Sequence, residues 1–163
     1  MSNFLGIDTS NYTTSAAIYE SPHNVLLQEK MLLPVKKGEK GIRQSDAVFH
    51  HTVQLPEIID KLFKKTGKRD ISAVGVSYAP RRLKGSYMPC FLTGISAATA
   101  VSRALSVPLY RFSHQEGHIA AALYSAGRLE LLNEPFIAFH VSGGTTEAAV
   151  SYTHLTLPTS DLV

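Results

Sequence analysis

The stretch Phe112-Ser113-His114-Gln115-Glu116-Gly117-His118-Ile119-Ala120-Ala121-Ala122-Leu123 follows a short apolar run beginning at Pro108 and opens a run of small and apolar residues. It reads as a strand handing over to a helix. One helical turn takes about 3.6 residues, so the imidazoles of His114 and His118 stack on one flank and can point at one ion. A helix opening after a strand with polar groups in its first turn lies where an α/β sheet holds its ligands, outside the carboxyl ends of its strands. Two imidazoles cannot saturate an ion, so a third ligand, a carboxylate, has to come from elsewhere. His-x-x-x-His is common on solvated helix faces. Here Gly117 and Ala120 to Ala122 strengthen the metal reading, because small residues let other groups approach closely.

Working outward, Phe91 to Leu105 predicts a helix rich in Gly94, Ala97, Ala98, Ala100 and Ala104, suited to tight packing on a sheet. Before it, Tyr78 to Pro89 is a loop carrying Arg81, Arg82, Lys84 and Gly85, and Ile71 to Ser77 is a short buried strand. From Gln44 to about Lys65 the apolar Val48, Leu55, Ile58, Ile59, Leu62 and Phe63 recur at three and four, predicting an amphipathic helix bent or restarted at Pro56 and ended by Gly67. The chain starts with three antiparallel strands: Phe4 to Ser10, Ala16 to Tyr19 after the hydroxyl-dense turn Asn11 to Ser15, and Val25 to Leu33. On the other side, the helix from His114 runs to about Leu131, followed by strands Phe136 to Val141 and Glu147 to Val150. The order β-β-β-α-β-α-β-α-β is that of one lobe of the actin-like and sugar-kinase ATPase fold, followed by the first hairpin of a second lobe.

Two turns carry phosphate-binding chemistry. Ser142-Gly143-Gly144-Thr145-Thr146 joins two strands, and paired glycines let backbone N–H groups face an anion with no Cβ in the way. A Gly-Gly turn is also the commonest plain hairpin signal. Asp8-Thr9-Ser10 closes the first strand. In actin-like ATPases two such hairpins, at the starts of two lobes, face each other across a nucleotide, so the pair means more than either alone.

The 163 residues are 44% hydrophobic and 18% charged, which excludes a disordered chain, and the net charge of +3 is a mild basic bias compatible with a polyanionic partner. One cysteine, Cys90, excludes an intramolecular disulfide framework and reads as a buried small residue in a reducing compartment. No apolar run reaches the roughly 18 residues a membrane span needs, and no leader is evident. A cytoplasmic protein without membrane contact is expected. His50 and His51 lie about 100° apart on their helix and cannot easily share an ion, so both read as surface or interface residues.

With these pieces placed, the chain resembles the N-terminal part of the tRNA N6-adenosine threonylcarbamoyltransferase family, historically called O-sialoglycoprotein endopeptidase or glycoprotease. The resemblance runs from residue 4 to 150. It rests on Gly6-Ile7-Asp8-Thr9-Ser10, His114-Gln115-Glu116-Gly117-His118, Val141-Ser142-Gly143-Gly144 and their order, with Leu83, Gly85 and Gly94 also following the pattern. It implies an acyltransferase that moves the threonylcarbamoyl group of threonylcarbamoyl-AMP to N6 of the adenosine next to the anticodon in tRNA. It further implies one iron or zinc ion per subunit held by His114 and His118, with a late Asp beyond this chain as third ligand. Asp8, Ser10, Ser142, Gly143 and Gly144 would line the adenylate, and other subunits of the same modification pathway would be partners.

Three departures mark a divergent paralog. Asn11-Tyr12-Thr13-Thr14 replaces the family's usual Cys-Asp-Glu-Thr, Pro80-Arg81-Arg82 stands where Gly-Pro-Gly is usual, and Thr145 replaces a histidine. Two other readings stand beside the transferase. One is a non-catalytic paralog that dimerises with a true enzyme of the pathway. The other is a metallopeptidase, which the position of Glu116 disfavours because His-Glu-x-x-His puts its carboxylate on a different helix face. Residues 1–134 are expected to form the first lobe and 135–150 the start of the second. Residues 151–163 depart from the family pattern and read as a non-native tail without function, His154 included. A lobe cut at that point is expected to be catalytically incompetent alone.

Overall fold

The computed structural model describes residues 1–35, 41–67, 70–141, 146–151 and 159–161, with side chains described up to residue 139. The elements run β1 (Ser2–Asp8), β2 (Thr13–Ser21), β3 (Val25–Leu32), α1 (Gln44–Thr66), β4 (Ile71–Ala79), α2 (Phe91–Ala104), β5 (Leu109–Ser113), α3 (His114–Ser125), a 3-10 turn (Leu129–Asn133), β6 (Phe136–Val141), β7 (Thr146–Ser151) and β8 (Thr159–Asp161). They divide into two compact units. The first comprises Met1–Pro80 and Tyr87–His114, the second Arg81–Ser86 and Gln115–Val163. The division falls inside α3.

In the first unit a five-stranded sheet has the order β3-β2-β1-β4-β5. β1 pairs antiparallel with β2, opposing Ile7 to Ala16, and parallel with β4, opposing Ile7 to Val76. β5 joins β4 in parallel. Alternation decides which face is covered: Leu5 and Ile7 of β1 and Ala16 and Ile18 of β2 are buried at every second position. The inner strand β4 buries Ala73, Val74, Val76 and Ala79 with no alternation, as a strand flanked on both faces does. Leu55, Ile58 and Leu62 of α1 and Ala98 of α2 complete one core, where each large aliphatic contributes roughly 1.5–3 kcal/mol on burial. A smaller cluster gathers Leu33, Ala47, Cys90 and Phe91.

α1 is one continuous helix with Pro56 inside it, not two segments. Its buried stripe of Ala47, His51, Gln54, Leu55, Ile58 and Leu62 explains why packing outweighs the one donor that proline removes. The same stripe corrects the expectation for His51. It is fully buried, with Nδ1 2.8 Å from Thr14 Oγ1, while Thr14 donates to Gln54 Oε1 (2.7 Å) and Gln54 Nε2 donates to the Leu32 carbonyl (3.1 Å). Cys90 is buried, as its composition suggested.

In the second unit α3 stops at Ser125, short of the expected Leu131. Gly127 takes φ +65°, and the N–H groups of Gly127 and Arg128 donate to the Tyr124 and Leu123 carbonyls, a glycine closure of the helix end. β6, β7 and β8 form an antiparallel sheet in that order, with Phe136 opposing Ser151. Ile119, Leu123, Phe136 and Ala138 pack together. β8 lies in the segment read as a non-native tail and was not expected as a strand. Arg82 Nη2 sits 3.0 Å from Glu116 Oε1, whose side chain is almost wholly buried. Among the described residues no helix is long and apolar enough to cross a membrane.

Candidate functional site

Three parallel neighbours end side by side: β1 with Asp8, β4 just past Ser77, and β5 with Ser113, after which His114 begins α3. The bodies of β1 and β4 are apolar and buried, β5 at the sheet edge is largely exposed up to the buried Ser113, and all three bring polar groups to their carboxyl ends.

Asp8 is the hub. Its Oδ1 accepts the backbone N–H of Ser10 at 2.7 Å, and its Oδ2 accepts the Ser77 hydroxyl at 2.5 Å and faces His114 Nδ1 at 2.9 Å. On the other side of the imidazole, Nε2 lies 3.4 Å from Ser10 Oγ. The Phe91 ring meets His114 edge-on, with centroids 6.5 Å apart. Both partners of the Asp8–His114 contact are only partly exposed, with side-chain accessibilities of 23% and 34%. Burial pushes the Asp8 carboxyl up. The hydrogen bond and charge of His114, joined by Ser10 and Ser77, outweigh burial and hold it well below the usual carboxylate range. Asp8 therefore stays ionised at neutral pH.

Beneath this cluster, Thr9 donates to the Cys90 carbonyl (2.9 Å) and accepts the Gly94 N–H (3.1 Å), tying the turn after β1 to the start of α2. Burial raises the Cys90 thiol, against a reactive role. His118 is exposed and lies four residues along α3 from His114, in the second unit. Ser142, Gly143 and Gly144 lie outside the described residues, as does His154. Among the described residues no group of three or more His, Cys, Asp and Glu side chains is placed to hold a metal. Glu116 is buried and ion-paired with Arg82, a poor setting for a general base.

Asp8, Ser10 and His114 were thus read from the sequence and are brought together. Ser77 was missed, as was the Asp8–His114 contact. The signal for both was present: Asp8 ends β1, Ser77 lies near the carboxyl end of β4 and His114 directly follows β5, and the element order makes those strands neighbours.

A β3-β2-β1-β4-β5 sheet with polar groups at the carboxyl ends of its parallel strands defines the class: the actin-like ATPase fold. Among solved structures, YeaZ from Pseudomonas aeruginosa superposes with a TM-score of 0.63 at 16% identity, over 99% of this chain and 68% of that one. The Lmo2764 protein of Listeria monocytogenes gives 0.53 at 14%, over 96% and 49%. The family model for tRNA N6-adenosine threonylcarbamoyltransferase matches residues 25–157, and the chain belongs to that family. The Bacillus subtilis tRNA N6-adenosine threonylcarbamoyltransferase is 31% identical over 153 residues, covering 92% of this chain and 42% of that protein. The Magnetococcus marinus one is 30% identical over 156 residues, covering 90% and 43%. The chain spans about two fifths of the length of these relatives.

Proposed function

We propose that this chain supplies the metal-binding lobe of an enzyme that transfers the threonylcarbamoyl group of threonylcarbamoyl-AMP to N6 of the adenosine next to the anticodon in tRNA. The observation that carries the reading is the Asp8–His114–Ser10 assembly at the carboxyl ends of β1, β4 and β5 in a chain of this family. In the reaction N6 bonds to the carbonyl carbon of the donor, the bond from that carbon to the AMP phosphate oxygen breaks, and N6 gives up one proton. An exocyclic amine is a weak nucleophile, so holding it against an activated donor must supply most of the rate.

His114 and His118 fit a first-row metal such as iron or zinc. They are imidazoles four apart on one helix, one of them beside an ionised carboxylate that offsets cationic charge. When bound, the ion supplies Lewis acidity toward the oxygen on which charge builds. Asp8 and Ser10, with Ser142, Gly143 and Gly144, are assigned to the adenylate side. Partner subunits of the same modification pathway and tRNA complete the assembly. Two imidazoles leave such an ion under-ligated, so residues 1–163 alone are expected to leave tRNA unmodified.

The test joins residues 1–150 to the remaining part of the B. subtilis relative and measures threonylcarbamoyladenosine in tRNA by mass spectrometry. The chimera is expected to form the modified nucleoside and its His114→Ala variant to lose at least 100-fold in rate, a loss of the size catalytic groups carry. A folded chimera that binds tRNA and donor yet forms no product would instead make the chain a non-catalytic partner.

A further inference from the structure

We propose that Asp8 is the positioning residue of His114, fixing which imidazole nitrogen carries the proton and which presents a lone pair. The inference rests on the metal-holding role given to His114 above and adds a residue that the metal reading did not include. The carboxylate is held from two directions that belong to the sheet. The Ser10 N–H comes from the turn directly after β1 (2.7 Å) and the Ser77 hydroxyl from the neighbouring strand β4 (2.5 Å). Its third partner is His114 Nδ1 at 2.9 Å. A carboxylate only accepts, so Nδ1 must carry the hydrogen, and a neutral imidazole has only one. Nε2 is therefore the unprotonated nitrogen. It faces the Ser10 hydroxyl at 3.4 Å, while the edge of Phe91 limits the tilt of the ring. A carboxylate behind Nδ1 is how proteins orient an imidazole whose other nitrogen binds a metal, and losing that carboxylate typically weakens metal affinity 10–100-fold. Two adjacent strands and the helix that follows a third thus contribute one part each: the anchor Ser77, the carboxylate Asp8 and the imidazole His114.

The test uses the whole chain with labelled histidine, metal-free, near pH 8, and then zinc alone as the probe. In the unsubstituted chain the His114 nitrogen shifts are expected to show hydrogen on Nδ1. In Asp8→Asn the amide can offer an N–H instead, so the hydrogen is expected to move toward Nε2 and the apparent zinc dissociation constant to rise about 10–100-fold. Unchanged nitrogen shifts in folded Asp8→Asn overturn the inference whatever zinc does, and so does unchanged zinc affinity. If the unsubstituted chain binds no zinc, its two imidazoles do not hold the ion without the third ligand, and the tautomer result alone decides the role of Asp8. Should Asp8→Asn not fold, Ser77→Ala removes one anchor only. There a severalfold loss of zinc affinity with exchange-broadened His114 signals is expected, and unchanged behaviour overturns the inference.

Discussion

At Gly94 there is no room for a side chain. A Cβ built there lies 2.9 Å from Thr9 Oγ1 and 3.5 Å from Ile7 Cγ2, and Thr9 cannot yield freely because it bridges the Cys90 carbonyl and the Gly94 N–H. Gly94→Ala is therefore expected to destabilise the chain by about 1–3 kcal/mol despite alanine's better helix propensity. The urea midpoint should fall with an unchanged slope, and a midpoint equal to or above that of the unsubstituted chain would refute the close-packing argument. The glycine was legible in the sequence as a small residue for tight packing. What it packs against was not, because the contact joins positions 85 residues apart. His51 shows the opposite case. Its place on the stripe with Ala47, Leu55, Ile58 and Leu62 was readable from helical period, yet a polar residue beside His50 reads as surface until Thr14 appears opposite it.

Among the elements, the segment Arg81–Ser86 and α3 are joined by Arg82 and the buried Glu116. Removing one member of a buried pair leaves a charge without its compensation, whereas removing both need cost little. Arg82 is 40% exposed, so the cost is discounted from that of a fully buried pair. Arg82→Ala is expected to destabilise the second unit by about 1–3 kcal/mol, and Arg82→Ala with Glu116→Gln by clearly less than the sum of the single changes. A double-mutant cycle read by hydrogen exchange on α3 checks this, and additive effects would show that the pair is not coupled. Pro80-Arg81-Arg82, in place of the usual Gly-Pro-Gly, adds two positive charges to the loop. The structure turns one of those charges inward onto the glutamate between the two histidines. Element order was legible because short apolar runs bounded by turn residues alternate with longer stretches that carry a helical period, as in α1, or many small residues, as in α2. Ends were less so: the close of α3 depends on a left-handed Gly127, and the span of α1 across Pro56 depends on what its apolar stripe meets.

For the whole molecule, two groups of the first unit make stability fall with acidity, in separate windows. Burial lowers the His51 pKa from its ordinary 6.5, and the nearby Asp8 charge, which acts the other way, does not reverse it. The folded chain then keeps His51 neutral where the unfolded chain takes up a proton, so the unfolded state binds more protons and folding weakens as pH drops below about 6.5. Asp8 has its carboxyl held well below the ordinary value by His114, Ser10 and Ser77 in spite of burial, so its contribution is complete above about 4 and is lost as pH falls further. Each group can supply a slope of at most about 1.4 kcal/mol per pH unit. Urea midpoints measured from pH 7.5 to 2.5 in the metal-free chain should decline in two stages. His51→Asn, which keeps a polar partner for Thr14, should flatten the stage near pH 6, and Asp8→Asn the one below pH 4. If His51→Asn retains the upper stage in full, that acid sensitivity comes from another histidine, and the buried Thr14–His51–Gln54 chain of hydrogen bonds is not what the molecule loses first on acidification.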